Sequence, residues 1–226
     1  MSEISLGRAN PNRWTTIGGP SGGKVAALAI GREKDHALFA GTQVGLYRTR
    51  DVGGRAAPQW TRLPEASLEI MALAVSPFYI QDRTLLAGTA QGLFVSRDEG
   101  DHWEATRLPI LSSMILALCF SPNYEADGIV LAGTLQDGIL YSDTQGESWS
   151  YRGFGLLDAT VYSLAISPGF AYDEMIFAGT ETALYHSYNS ARAWKRLNFP
   201  EDAAPILSLA LSPDFSKDRS LYAGTE

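Results

Sequence analysis

Five aspartates recur along this chain at nearly constant spacing, Asp35, Asp82, Asp127, Asp173 and Asp218, each six residues before the glycine of an Ala-Gly-Thr triplet. Carboxylates repeated in this way have two readings. A ring of them on one face could hold a cation, whereas a carboxylate that accepts backbone N–H bonds serves the same turn in every repeat and needs no ligand. Other candidate chemistry is thinner. The stretch Gly18-Gly19-Pro20-Ser21-Gly22-Gly23-Lys24-Val25 approaches a phosphate-binding loop, but Val25 stands where a magnesium-binding hydroxyl is required, and a strand pattern follows instead of a helix. Gly153-Phe154-Gly155 lacks the third glycine and the βαβ setting of a dinucleotide site. His36, His102 and His186 occupy three different repeat positions, so periodicity gives no reason for them to converge. Cys119 is the single cysteine, which rules out an intrachain disulfide and a cysteine-rich zinc site. None of these patterns implies a cofactor or a metal.

Composition narrows the partners. The 226 residues carry 18 Lys+Arg against 25 Asp+Glu, a formal charge of −7 without a basic block, which argues against nucleic acid. No apolar run reaches the ~18 residues of a membrane span. The N-terminus, Met1-Ser2-Glu3-Ile4-Ser5, has neither the basic nor the apolar region of a secretory signal. As it stands the sequence reads as cytoplasmic, and an extracellular location stays open if a leader has been removed. A hydrophobic content of 45% with 19% charged residues supports a substantial core rather than a disordered chain.

The elements that must position these residues are themselves repeated. Ala-Gly-Thr places its glycine at Gly41, Gly88, Gly133, Gly179 and Gly224, at spacings of 47, 45, 46 and 45. Ser-Pro recurs at Ser76, Ser121, Ser167 and Ser212, and the five tryptophans, Trp14, Trp60, Trp103, Trp149 and Trp194, keep the same beat. Each unit reads as four short strands. The first are Val25–Ile30, Ile70–Val75, Ile115–Phe120, Val161–Ile166 and Ile206–Leu211; a second runs into Ala-Gly-Thr, a third follows it, and a fourth starts at each Trp. No stretch shows an apolar stripe of helical period over ten residues or more.

Four antiparallel strands in about 45 residues make the blade of a β-propeller. The expected fold is therefore all-β, a single domain over residues 1–226 with five blades at about 24–62, 69–107, 114–152, 160–197, and 205–226 plus 3–16. In that ring the N-terminal strands (about 3–16) complete the C-terminal blade (about 205–226), and the Trp-to-Trp gap across the join is 46. A closed ring of this kind reads as a monomer. A run of whole repeats cut from a longer array has the same phase and is the other reading.

Two units carry Ser96-Arg97-Asp98-Glu99-Gly100-Asp101-His102-Trp103 and Thr49-Arg50-Asp51-Val52-Gly53, the latter reaching Trp60 through a longer loop. In the units ending at Trp149 and Trp194 the pattern is degraded to Ser142-Asp143-Thr144-Gln145-Gly146 and Ser187-Tyr188-Asn189-Ser190-Ala191. Hydroxyl and carboxylate can accept backbone N–H bonds in a tight hairpin, glycine takes a backbone angle closed to other residues, and Trp anchors the outgoing strand. The pattern resembles the Asp-box (BNR) repeat of sialidase-like, sortilin-like and photosystem-assembly-factor-like propellers, and the resemblance runs through essentially the whole chain. It implies that Asp51 and Asp98 are structural and lie away from the ligand face. A sialidase would need an arginine triad, a tyrosine nucleophile with a glutamate, and an acid aspartate. Arginines do follow the tryptophans, at Arg62, Arg107, Arg152 and Arg196, but at repeat-related positions, as a periodic structural contact would. A glycosidase needs two acids roughly 5–10 Å apart. Glu69 is the one acid at the entrances of the inner strands.

Departures from the repeat are the better guide to binding. The connections from each Trp strand to the next inner strand differ most and should share one mouth of the channel. Their apolar members, Leu108, Ile110, Leu111, Phe154, Leu156, Leu157 and Phe199, either form a shallow binding face or fold down to plug the channel. The expectation is a non-catalytic binding or scaffold module for a protein or small glycan, with Glu69, Arg107, Arg152, Phe154 and Tyr162 as candidate mouth residues. A glycan-binding or glycan-cleaving propeller is the rival reading.

Overall fold

The apolar runs that open each repeat are too short for a buried helix and rich in Val, Ile and Leu, which favour a pleated, half-buried surface. In the computed structural model each becomes the first strand of an antiparallel sheet. Residues 18–21, 23–31, 37–50, 58–64, 68–109, 114–200 and 203–226 are described. Trp14, Asp35, Asp51 and the N-terminal strands expected over about 3–16 lie outside them. The first sheet is β1 (Val25–Ile30), β2 (Leu38–Thr42), β3 (Gly45–Thr49) and β4 (Thr61–Arg62) in that order. The second is β5 (Ile70–Val75), β6 (Leu85–Thr89), β7 (Gly92–Ser96) and β8 (Glu104–Ala105); the third is β9 (Ile115–Phe120), β10 (Val130–Thr134), β11 (Ile139–Ser142) and β12 (Ser150–Tyr151). The fourth is β13 (Val161–Ile166), β14 (Ile176–Thr180), β15 (Leu184–Ser187) and β16 (Lys195–Arg196), and β17 (Ser208–Leu211) with β18 (Leu221–Gly224) form a two-stranded fifth. Each fourth strand begins one residue after its Trp. This is the architecture of a β-propeller, in which inner strands β1, β5, β9, β13 and β17 pack each against the next.

Packing between sheets depends on the glycine of Ala-Gly-Thr. A Cβ built on Gly41, Gly88, Gly133 or Gly179 would stand 2.5–2.8 Å from a methyl of Ile70, Ile115, Val161 or Ile206, the first apolar residue of the next unit. Those four side chains are at most 1% exposed. Bare backbone thus lets a β-branched knob seat directly on the neighbouring sheet. Around each joint the same residues recur: Leu73 and Val75 of β5 pack on Phe39, Leu46 and Tyr79, and Leu164 and Ile166 of β13 pack on Leu131, Ile139 and Tyr141.

A second device fixes the turn between the first two strands. Ser-Pro starts a one-turn helix, α1 (Tyr79–Asp82), α2 (Tyr124–Asp127), α3 (Phe170–Asp173) or α4 (Phe215–Asp218), each ended by a left-handed residue, Arg83, Gly128, Glu174 or Arg219. One turn has no room for an amphipathic stripe, so helical periodicity could not announce these. Within each turn the serine hydroxyl donates to the aspartate and the backbone N–H two residues beyond that aspartate donates to its other oxygen. For Asp127 the distances are 2.6 Å from Ser121 Oγ and 2.9 Å from Ile129 N. Asp82, Asp173 and Asp218 repeat this with Ser76, Ser167 and Ser212. In the four described repeats each oxygen of the aspartate accepts a bond from its own turn.

The hairpins before each Trp show how a motif survives loss of its carboxylate. Ser96 Oγ accepts Gly100 N at 2.8 Å, Asp98 Oδ1 accepts His102 N at 2.9 Å, and Trp103 Nε1 donates to Gly100 O at 3.0 Å. Thr144 Oγ1 takes the role of Asp98 in the third sheet, accepting Ser148 N at 2.9 Å, and Asn189 Oδ1 takes it in the fourth, accepting Ala193 N at 2.9 Å. Gly100 and Gly146 adopt φ of +92° and +85°, whereas Ala191 carries the equivalent turn at φ +63°. His102, through its backbone N–H and its imidazole, and Ser96 hold the Asp98 carboxyl down at about 2.

Two outcomes test these devices. Gly133→Ala forces a methyl to 2.8 Å from Val161 Cγ1 and 3.0 Å from Val161 O, and should cost about 1–3 kcal/mol in a denaturant titration. Because the folded-state pKa of Asp98 lies below its unfolded value near ~3.9, its contribution is present above pH ~4 and is lost as pH falls towards ~2. Asp98→Asn should therefore flatten the acid dependence of stability in that window, and an unchanged slope would remove the role assigned to this carboxylate.

Candidate functional site

The two faces of the propeller are built from different loops. On one, the one-turn helices meet the Trp hairpins, as Glu99 N bonds Arg83 O, Gln145 N bonds Gly128 O and Ser190 N bonds Glu174 O, all at 3.0–3.2 Å. The other face joins the β10–β11 and β14–β15 turns to the crossovers that carry the chain from one sheet to the next. Thr160 Oγ1 donates to Leu135 O at 2.7 Å, and Gly138 N donates to Ala159 O at 2.9 Å. Asp98 thus lies on the face opposite the crossovers.

Glu69, Arg107, Arg152, Phe154 and Tyr162 all fall on crossovers or at the start of an inner strand, but on three separate crossovers. Glu69 and Arg107 are exposed, and Tyr162 is half-buried on β13. Arg152 is turned towards its own sheet, with its guanidinium carbon 4.7 Å from the centre of the Tyr141 ring and its carbonyl accepting Trp194 Nε1 at 2.8 Å. Such a stacked cation packs on its own sheet, but it is not periodic: the position of Arg152 is held by Leu63, Thr106 and Leu197 in the other sheets, so the arginines that follow the tryptophans do not share one register.

The Arg152–Thr160 crossover is the best-defined element of this face. Trp194 N donates to Phe154 O at 2.8 Å, which with the Arg152 bond staples the loop to the edge of the fourth sheet. Gly155 has φ +84°, and a side chain there would run into the Trp194 carbonyl. At the far end Asp158 Oδ2 accepts both Thr182 N and Thr182 Oγ1 at 2.9 Å. Leu156 folds onto the core beside Tyr141 and Trp194. Phe154 and Leu157 instead stand 78% and 88% exposed, next to Tyr151 at 58%. The apolar crossover residues therefore divide: Leu108 and Leu156 turn inward, while Phe154 and Leu157 project into solvent. Ile110 and Leu111 lie outside the described residues.

Two further features had no sequence signal strong enough to single them out. A groove of about 450 Å³ is lined by Arg48, Thr49, Arg50, Gln59 and Thr61. The Glu99 carboxylate is clasped there by Arg48 and Arg83, each at 3.5 Å, and by Arg50. Its one sequence trace is Arg48, which occupies the third-strand position held by Val95, Tyr141 and His186 in the other sheets. On the hairpin face of the third sheet, Glu125, Asp127, Asp143 and Glu147 border an open cavity of about 320 Å³. These acids come from two loop types, and Asp127 is already committed to its own turn. Among the described residues no group of three His, Cys, Asp or Glu is arranged to hold a metal ion, and no helix is long and apolar enough to cross a membrane. His186 is buried, and burial, with Lys195 nearby, pushes its pKa down.

No protein-family model matches the sequence, and no curated protein matches it. The structure is similar to that of a GH74 enzyme from Niastella koreensis, with a TM-score of 0.69 and 21% identity over 90% of this chain and 33% of that one. It is also similar to the extracellular domain of a one-component system from B. thetaiotaomicron, with a TM-score of 0.64 and 16% identity over 96% and 27% of the two chains. A computationally designed protein, Ika4, aligns with a TM-score of 0.53 and 18% identity over 76% of this chain and 95% of that one. The chain spans a third or less of the two natural proteins, and at these identities the likeness is one of fold: sheets of four antiparallel strands arranged as in a propeller.

Proposed function

We propose that the chain is a binding module whose contact surface is the crossover face, centred on the loop from Tyr151 to Asp158. The observation that carries this reading is the pair Phe154 and Leu157, 78% and 88% exposed on a loop bonded at its two ends to Trp194, just before β16, and to Thr182, in the β14–β15 turn. Holding two large apolar side chains in water is unfavourable, and a ligand that covers them relieves that. An apolar protein segment or the apolar face of a sugar ring fits such a platform, with Tyr151 supplying an amphipathic rim.

Glycan cleavage is the second reading, supported by the likeness of fold to GH74 enzymes. Its chemistry requires a free acid pair, and the acid of this loop, Asp158, is engaged by Thr182. Replacing Phe154 and Leu157 together by Ser should change stability by no more than about 0.5 kcal/mol, since both side chains are exposed. The same double variant should lose retention on a panel of immobilised glycans and apolar peptides that holds the unsubstituted chain. Equal retention by the two proteins would sink the platform, and release of the aglycone from aryl-glycosides would favour cleavage.

A further inference from the structure

The junction of the first and second sheets departs from the repeat on the hairpin face. Arg48 of β3, Arg83 at the end of α1 and Glu99 of the hairpin before Trp103 stand where the next junction carries Val95, Gly128 and Gln145. Three guanidinium groups close on the Glu99 carboxylate, Arg48 Nη1 and Arg83 Nε each at 3.5 Å and Arg50 Nη2 nearer still. Arg48 Nη1 also donates to the Glu99 carbonyl at 3.0 Å, and Asp101 Oδ1 is 3.9 Å from it. Among the described residues three cations therefore face two carboxylates. Arginine does not shed its proton in a protein, so the surplus positive charge persists.

The Tyr79 hydroxyl is a second departure. Tyr79 and Tyr124 open α1 and α2, and the Tyr124 hydroxyl donates to the Gln145 carbonyl at 3.4 Å. In the first junction the equivalent carbonyl, that of Glu99, is taken by Arg48, and the Tyr79 hydroxyl is buried without a partner on a residue 8% exposed. Burial, helped by the charge of Glu99 and opposed by those of Arg48, Arg50 and Arg83, pushes its pKa up to about 12, so it remains a donor. A buried O–H costs free energy until something accepts from it. Phe170 and Phe215 hold the same position in the fourth and fifth sheets and carry no such group.

Beside these groups opens the groove of about 450 Å³, whose described lining, Arg48, Thr49, Arg50, Gln59 and Thr61, is polar throughout. Its size is that of a small-molecule site rather than of a single ion. We infer that this junction binds a small polyhydroxylated molecule bearing one oxyanion, a carboxylate or a phosphate, with Arg48 and Arg50 on the oxyanion, the Tyr79 hydroxyl as a further donor to it, and Gln59 and Thr61 on the ligand's own hydroxyl groups. The surplus cation calls for an anion, and guanidinium N–H groups match an oxyanion in pairs. The orphan hydroxyl needs an acceptor, and a polar lining favours a ligand that hydrogen-bonds along its whole length. Arg50 and Arg83 are 55% and 60% exposed, which leaves both side chains room to turn from Glu99 onto the ligand and uncover Tyr79. The surface formed by Phe154 and Leu157 lies on the opposite face, so the two sites are separate.

Titration calorimetry on the full chain at low ionic strength provides the test, with glucuronate and inositol monophosphate as acidic probes and glucose, inositol and inorganic phosphate as controls. One of the two acids should bind with a Kd below about 1 mM, at least about tenfold tighter than any control, and the better of the two identifies the oxyanion. Arg50→Gln and Tyr79→Phe should each weaken that acid by about fivefold or more. Neither should lower the denaturant midpoint, since Arg50 is an exposed side chain and Tyr79 loses only an unpaired hydroxyl. The double variant Phe154→Ser/Leu157→Ser should bind the acid as the unsubstituted chain does. Absence of binding by both acids, equal binding of a control, or undiminished binding by either single variant would overturn the inference. Loss of binding in the double variant would overturn it too, by moving the ligand to the crossover face.

Discussion

The close approach of one bare main chain to a β-branched side chain underlies everything else in this propeller. At Gly41, Gly88, Gly133 and Gly179 no atom larger than hydrogen fits between the second strand of one sheet and the first residue of the next unit. The knob above each glycine is essentially solvent-free, and the flanking Leu, Val and Ile residues take their places from it. Sheets of this size have too little apolar surface of their own to be stable singly, so the joint is where most burial is realised.

Polar groups play a different part. The Ser-Asp pair in the four described first turns and the hydroxyls of Ser96, Ser142 and Ser187 in the Trp hairpins satisfy backbone donors at places where the chain reverses and neither helix nor sheet ladder can. Because the requirement is an acceptor at a fixed distance, the residue supplying it can change. Asp98, Thr144 and Asn189 perform one task in three hairpins. In the four described first turns the recurring carboxylates, Asp82, Asp127, Asp173 and Asp218, bond within their own turn in the same way.

Surfaces with potential for recognition arise where the repeat is broken. The 152–160 crossover is bonded to Trp194 and Thr182, and between those bonds it exposes Phe154 and Leu157. The Arg48, Arg50 and Arg83 cluster around Glu99 sits at the junction of the first and second sheets. One departure adds apolar surface and the other adds charge, on opposite faces of the same frame.

By itself the sequence determined the repeat and its elements. The inner strands β1, β5, β9 and β13 have the bounds read from the apolar runs, because alternating burial against two neighbouring sheets leaves a local, periodic trace. The turn chemistry was legible for the same reason, since Ser and Asp bond to backbone only a few residues away. The one-turn helices left no helical periodicity, because four residues complete only one period of about 3.6 and never repeat it. Only the tertiary structure decided which crossover residues face inward. Leu156 and Leu157 are adjacent and identical in type, yet one packs beside Tyr141 and the other stands in water. That choice is made by Gly155, Trp194 and Thr182, which lie in a different sheet or depend on one for their effect, and contacts of that range carry no spacing that a linear sequence displays.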